Sequence, residues 1–225
     1  MLTISPEVWD RLTTENRRAC EAGWAQPGVF ATGIGPAYKP GASRSLLYIG
    51  KSAGPLGSLV GSAADQTLSS RASTEWMISR RNKSTFWQMV ERIDPSRRNI
   101  AWTNVCKMDR IGGQQPPTSS EWRQIRGVCM RALKDEFLSL RPRATLCATS
   151  EYLRQDIEDV LVELGFSPRP IDFEDGWTSA FASPDGQQAV LTRHPQGWLS
   201  ADRDRVVAYV NDILSARDAF SRSRS

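Results

Sequence analysis

Four short runs of mostly apolar residues predict β-strands. The first, SLLYIG, ends in Gly50, which is the form expected of a central parallel strand whose carboxyl end opens into a loop. The loop that follows, KSAGPLGSLVGSAAD, is long and rich in small residues. Loops of that length in compact domains are usually functional or mobile. We predict strands at residues 45–50, 99–105, 144–148 and 189–192, with a further short strand at 28–32.

Apolar residues spaced by three and four predict helices between these strands. The clearest apolar stripe occupies residues 122–140 and stops before Pro142. Near the N-terminus, Ser5 and Pro6 are residue types that begin helices. Because helices alternate with strands, we predict an α/β protein with a central, mostly parallel four-stranded sheet covered on both faces. The other predicted helices lie within residues 1–20, 84–93, 151–164 and 201–220.

The length of 225 residues suits one α/β domain, which we place at residues 1–220. Residues 221–225, SRSRS, are basic and lack apolar side chains, so we expect a disordered tail. The net charge of +4 decides little about partners. No apolar stretch approaches the roughly 18 residues that span a bilayer, and the N-terminus has no signal-peptide pattern, so we expect a cytoplasmic protein without membrane contact.

Cysteine and histidine usage excludes several classes of metal and redox protein. The four cysteines lie far apart without a CxxC pair, which argues against zinc ribbons, thioredoxin-like motifs and disulfide scaffolds. A single histidine, His194, excludes sites built on two or three histidines. We therefore predict no metal and no cofactor.

Polar segments follow three of the predicted strands. In an open parallel sheet, ligands bind beyond the carboxyl ends of the strands, so these segments should meet at one mouth. An amide, an ammonium and the only imidazole at one mouth would suit an electron-rich planar ligand. Each residue alone has a structural explanation, since a strand-end asparagine is often a backbone cap. The segments are Gly50-Lys51-Ser52, Asn104 with Lys107, and Arg193-His194-Pro195.

In order along the chain, YIGKSAGPLG, STFWQMVERI, IAWTNVCKMD and LTRHPQGWLS resemble the motifs of the uracil-DNA glycosylase superfamily. The matching segments span residues 48–200, about two thirds of the chain, and LSLRPRATLCATS is similar to the third strand of that family. The resemblance implies a three-layer α/β/α domain that flips a nucleotide out of DNA and hydrolyses its N-glycosidic bond, leaving an abasic site.

The resemblance also implies roles for individual residues. Asn104 matches the amide that reads the flipped base. His194 matches the imidazole that stabilises negative charge on the departing base. The loop that enters the minor groove matches Gln196, Gly197, Trp198 and Leu199, with Trp198 or Leu199 as the wedge.

Further contacts to the substrate are expected around these residues. Gly50, Ser52 and Ala53 of the first motif would line the base pocket, and Trp76 would either stack on the base or pack in the core. Candidate phosphate contacts, each with an ordinary solvated charge as the alternative, are Lys107, Arg193, Arg80 and Arg81.

The first motif departs from the family pattern. Family members commonly carry an acid or amide there that positions the attacking water, whereas this chain has Lys51-Ser52-Ala53. A cation at this place could stabilise the anionic leaving base or bind a phosphate. In such a mechanism the base departs first and water attacks afterwards. Imine formation by Lys51 is a further alternative. The small residues of the loop favour a pocket wider than uracil requires. A bulkier modified pyrimidine, as in modified phage DNA, is therefore a candidate substrate beside uracil.

The same residues suggest several alternative interpretations, and the sequence argues against some of them. One branch of the superfamily holds an iron–sulfur cluster on four cysteines, but Cys20 stands alone where that branch has a close pair, so we predict no cluster. A P-loop is excluded because its first glycine would fall on Ser45. A GIY-YIG nuclease would use residues 28–30 and 48–50 but leaves the asparagine and the histidine unexplained. A further alternative is a glycosylase-like protein that binds DNA or a flipped base without catalysis. We expect the protein to be a monomer.

Overall fold

The computed structural model describes residues 1–52, 65–79, 83–112, 116–173 and 175–216, and in this part of the chain seven strands form one mixed sheet. The spatial order of the strands is β1-β3-β2-β4-β7-β6-β5. In chain order they are β1 (Gly33–Ile34), β2 (Leu46–Gly50), β3 (Ile100–Asn104), β4 (Ala144–Thr149), β5 (Ser167–Arg169), β6 (Ser179–Ala182) and β7 (Gln188–Arg193).

The four parallel strands predicted from the sequence are the neighbouring strands β3, β2, β4 and β7. The prediction of an α/β protein with three layers is therefore confirmed, but the number of strands is seven and not four. Strand β1 lies antiparallel to β3 at one edge, and β6 and β5 add antiparallel to β7 at the other. The additional strands are short and lie at or near the edges, so they carry no long buried apolar run. The strand predicted at 28–32 is wrong: these residues form no strand, and the strand of this region, β1, begins at Gly33, after the predicted segment.

Six α-helices are described, and five of them match the predicted helical segments. A capping box begins α4, in which Thr118 and Glu121 each bond the other's backbone N–H. The same helix ends at Leu140, and the next residue, Arg141, has a left-handed backbone (φ 43°) and precedes Pro142. The helices are α1 (Pro6–Glu21), α2 (Gln66–Ser79), α3 (Thr85–Glu91), α4 (Ser119–Leu140), α5 (Arg154–Glu163) and α6 (Ser200–Ser215).

The helices cover the sheet on both faces, and alternation along each strand assigns side chains to one face or the other. On β2, Leu47 and Ile49 join a buried cluster with α1, α4 and α5. Leu46 and Tyr48 join a second cluster with α3 and α6. The same alternation places Trp102 of β3 on the α3/α6 face, which is also the face that the candidate site uses.

Helix α2 has no counterpart among the predicted elements, because small polar residues take the place of an apolar stripe on its buried side. Ser69 Oγ donates to the carbonyl of Val29 at 2.8 Å. A Cβ on Gly33 would come within 2.9 Å of the backbone of Ser73, so strand and helix touch directly. The buried residues of α2 are Gln66, Ser69, Ser73 and Met77.

Within the described residues, no helix combines the length and the apolar character that crossing a bilayer requires. The predicted tail at 221–225 lies outside the described residues.

Candidate functional site

Gly50, Asn104 and His194 lie on one face of the sheet at the carboxyl ends of their strands. Gly50 and Asn104 are register partners at the ends of β2 and β3. They follow Tyr48 and Trp102 by two residues, so they share the α3/α6 face. His194 comes directly after β7 and faces the same side, since its ring lies against Phe86 of α3.

Phe86 joins these three residues into one site. Its ring is 8% exposed and stacks on Tyr48, with ring centroids 4.2 Å apart. The Tyr48 hydroxyl donates to the carbonyl of Phe86 at 2.8 Å, which fixes the first turn of α3 on the sheet. The Phe86 ring also lies nearly parallel to the His194 ring, at an interplanar angle of 9°. The sequence marks Phe86 only as a helix position, and the FW pair was the one signal that it belongs to a motif.

The close contact of Gly50 with Asn104 explains the glycine. A Cβ on Gly50 would overlap Asn104 Oδ1 and would come within 3.1 Å of the Phe86 ring. Asn104 is 1% exposed, and its Nδ2 has no hydrogen-bond partner among the described residues. A buried amide donor without a partner costs folding free energy, so its retention at a strand end is a feature of ligand sites. The amide is thus ready to donate to an acceptor atom on a bound molecule.

His194 is half-buried, and burial lowers its pKa below the ordinary value of 6.5, with a further lowering by the positive charge of Lys51. The Gln196 backbone N–H donates to His194 Nδ1 at 3.4 Å. A neutral imidazole that accepts at Nδ1 carries its proton on Nε2. The ring therefore offers an Nε2–H donor at neutral pH.

The first motif continues from β2 alongside β3. The Gly50 carbonyl accepts from Val105 N and the Lys51 carbonyl accepts from Cys106 N, both at 2.9 Å. Lys51 and Ser52 are both partly exposed, and the positive charge of Lys51 contributes to the lowered pKa of His194. Ala53 lies outside the described residues.

The two candidate wedge residues in the loop after His194 differ in exposure. Trp198 is 6% exposed and packs in the α3/α6 cluster, whereas Leu199 is 73% exposed. Trp198 is therefore not a wedge in this structure, because its ring already fills the core. Gln196 and Gly197 are exposed, and Gly197 has a left-handed backbone (φ 84°) that forms the bend.

The predicted phosphate contact of Lys107 is wrong in this structure. The Lys107 side chain is fully buried, and its ammonium lies 2.7 Å from both carboxylate oxygens of Glu136. It also donates to Thr103 Oγ1 at 2.6 Å. These side-chain contacts lie on the α4 side of the sheet, and a side chain with no exposed surface cannot reach a phosphate.

Arg193 stays a candidate for a phosphate contact. Its guanidinium carbon lies near two indole rings, 5.9 Å from the Trp177 centroid and 5.4 Å from that of Trp198. Its Nε is buried and has no partner within the described part of the chain. Arg80 and Arg81 lie outside the described residues.

Trp76 packs in an aromatic cluster next to the site. Its ring stacks on Trp102 with centroids 5.2 Å apart and an angle of 27°, and it lies 5.4 Å from Trp87. Trp102 precedes Asn104 by two residues on the same face of the sheet. One face of the Trp76 ring is thus covered by core packing, while the side chain remains partly exposed.

Among the described residues no group of three histidine, cysteine or acidic side chains could hold a metal ion. Cys106, Cys129 and Cys147 are buried, whereas Cys20 is partly exposed.

The sequence was also compared with models of protein families and with curated proteins, and neither comparison gives a match.

Proposed function

We propose that the protein is a DNA glycosylase that flips a deaminated or modified base out of DNA and hydrolyses its N-glycosidic bond. One observation carries the proposal: Gly50, the Asn104 amide and His194 meet on one face of the sheet, against Phe86, and no described residue hydrogen-bonds the Asn104 Nδ2. The resemblance of the motifs to the uracil-DNA glycosylase superfamily supports the same function. A buried donor and a neutral imidazole are what an uncharged planar base requires.

In the proposed reaction, the bond between the sugar C1′ and the base nitrogen breaks, and its electron pair leaves with the base. Asn104 Nδ2 donates to an acceptor on the base edge, which selects the base and holds it. His194 Nε2–H donates to a base oxygen on which negative charge develops. Such fixed donors stabilise the charge most strongly where water is excluded. A water oxygen then bonds to C1′ and releases one proton.

Lys51 supplies electrostatic stabilisation in this scheme. Residues 50–52 contain no carboxylate or amide that could position water, so departure of the base precedes attack by water. The Lys51 ammonium acts on His194, and the same positive charge would stabilise an anionic base beside the imidazole. Keeping the imidazole neutral is a second effect of Lys51, since a charged neighbour disfavours protonation.

Both uracil and a bulkier modified pyrimidine, as found in modified phage DNA, are candidate substrates. The loop of small residues that favours a wide pocket falls mainly within residues 53–64, which lie outside the described residues. Oligonucleotides that carry each base distinguish the two substrates.

The test measures abasic-site formation on oligonucleotides carrying uracil, other deaminated bases, or hydroxymethylated and glucosylated cytosine. Release of one base by wild type, with release by His194→Ala lower by about 10²-fold, is the expected result. No release from any oligonucleotide would overturn the proposed catalysis.

A glycosylase-like protein that binds DNA without catalysis is the second candidate function. The absence of an acid or amide at residues 50–52 is the observation that favours it. Tight binding of DNA without base release would select this function. The GIY-YIG alternative gains no support, because residues 28–30 form no strand and residues 48–50 pair in parallel with β3.

A further inference from the structure

A buried ion pair lies directly behind Asn104, on the opposite face of the sheet. The Lys107 ammonium contacts both carboxylate oxygens of Glu136 at 2.7 Å, and both side chains have no exposed surface. Glu136 extends from α4, and Lys107 follows β3 by three residues. The pair therefore connects the carboxyl end of β3 to the helix layer on the other side.

Two threonines complete the contacts of the carboxylate. Thr103 Oγ1 donates to Glu136 at 2.9 and 3.0 Å and accepts from Lys107 at 2.6 Å. Thr32 Oγ1 donates to Glu136 Oε1 at 2.6 Å and accepts from Thr3 Oγ1 at 3.3 Å. Charge-assisted hydrogen bonds of this kind are short and strong, so the network is rigid.

Asn104 lies between two residues of this network. Thr103 precedes it, Lys107 follows it, and both bind the same carboxylate. Successive strand residues point to opposite faces, so Thr103 faces α4 while Asn104 faces the candidate site. No described residue hydrogen-bonds Asn104 Nδ2, and the position of this amide therefore depends on its backbone.

The backbone of the segment is held from two further directions. Val105 N and Cys106 N bond the carbonyls of the first motif, and the Lys107 carbonyl accepts from Phe30 N at 2.8 Å. These bonds run along the sheet, whereas the Glu136 contacts tie the segment to α4. Thr103 and Lys107 thus tie the segment to α4 through Glu136, and the Cys106 thiol adds a hydrogen bond with the Cys129 thiol of the same helix.

We infer that Lys107 and Glu136 are positioning residues that hold Asn104 at the place where it reads the base, an inference that rests on the proposed function. The pair touches no substrate. It acts through Thr103 and the backbone of residues 104–107, which leaves the Asn104 amide free to donate to a ligand. A small displacement of a reading group is enough to lower the rate of a reaction strongly.

The test uses the double variant Lys107→Met/Glu136→Leu, which replaces the pair by an apolar contact; such replacements are often neutral for stability. We expect kcat for base release to fall about tenfold or more, while KM stays near its wild-type value. The matched control is Lys134→Met/Glu163→Leu, which removes an ion pair of the same residue types (3.0 Å) from the exposed side of α4. It should leave kcat and KM unchanged.

The second measurement does not depend on catalysis. The side-chain NH₂ signals of Asn104 in an NMR spectrum are assigned by their loss in Asn104→Ala. We expect one sharp pair of signals in wild type and in the control, and broadened or split signals in the double variant. If the double variant does not fold, Thr103→Val takes its place, because it removes only the Thr103 hydroxyl, which bonds both Glu136 and Lys107.

Each outcome decides one claim. A folded variant that keeps wild-type kcat overturns the inference, and so does a loss of kcat with unchanged Asn104 signals. If wild type releases no base from any oligonucleotide, the proposed function fails, and the Asn104 signals alone decide whether the pair positions the amide.

Discussion

The rings of Phe86 and His194 lie nearly parallel, at an angle of 9° and with centroids 5.8 Å apart. Phe86 belongs to α3 and His194 follows β7, so this contact brings a helix and a late strand together beside Gly50. It also fixes the plane of the imidazole, and the Gln196 N–H holds its Nδ1. The Nε2–H donor therefore has a defined direction before any ligand binds.

We expect His194→Ala and Asn104→Ala each to lower base release by about 10²-fold or more, because each removes a fixed polar donor from a buried site. The measurement is single-turnover base release, with thermal unfolding and DNA binding recorded for the same samples. Wild-type rates in both variants would exclude the assigned site.

Gly50→Ala should lower base release by at least about tenfold, since its Cβ would overlap Asn104 Oδ1 and displace the amide. Gly127→Ala is the matched control. Gly127 is an exposed residue within α4, with no atom within 4 Å of an added Cβ, so the change should stabilise by about 0.5–1 kcal/mol. Equal rates for the two variants would show that the contact of Gly50 with Asn104 does not matter.

Base release should persist as the pH falls through 6.5, because burial and Lys51 lower the pKa of His194 and the neutral ring is the active form. Lys51→Met removes the positive charge and raises this pKa, so the acidic limb of the pH–rate profile should move to higher pH. Lys39→Met, at an exposed position before β2, is the control and should not move it. If the acidic limb does not move in Lys51→Met, the charge of Lys51 does not influence the pKa of the imidazole.

Leu199→Ala should lower base release from duplex DNA by about tenfold and leave release from single strands nearly unchanged. The reason is that an exposed apolar side chain can fill the vacated stack only in a duplex. Leu138→Ala, at a position that is 59% exposed on α4, is the control. Equal losses on both kinds of DNA would assign Leu199 to a role other than the wedge.

The sequence by itself determined the four parallel strands and five helices. Buried strands require apolar runs, and buried helix faces require apolar residues spaced by three and four, so both are visible in the sequence. It did not determine α2, whose buried side is mainly serine and glutamine. Close approach to Gly33 selects small residues there, and small polar residues carry no hydrophobic pattern.

The same limit applies to the site. Gly50, Asn104 and His194 each follow or end a predicted parallel strand. Because the carboxyl ends of parallel strands lie at the same edge of a sheet, the sequence placed the three residues together. Only the tertiary structure decided that Lys107 is buried against Glu136 and that Leu199, not Trp198, is exposed. A charged or aromatic side chain has the same sequence signal in the core and at the surface, and its neighbours in space decide which of the two it takes.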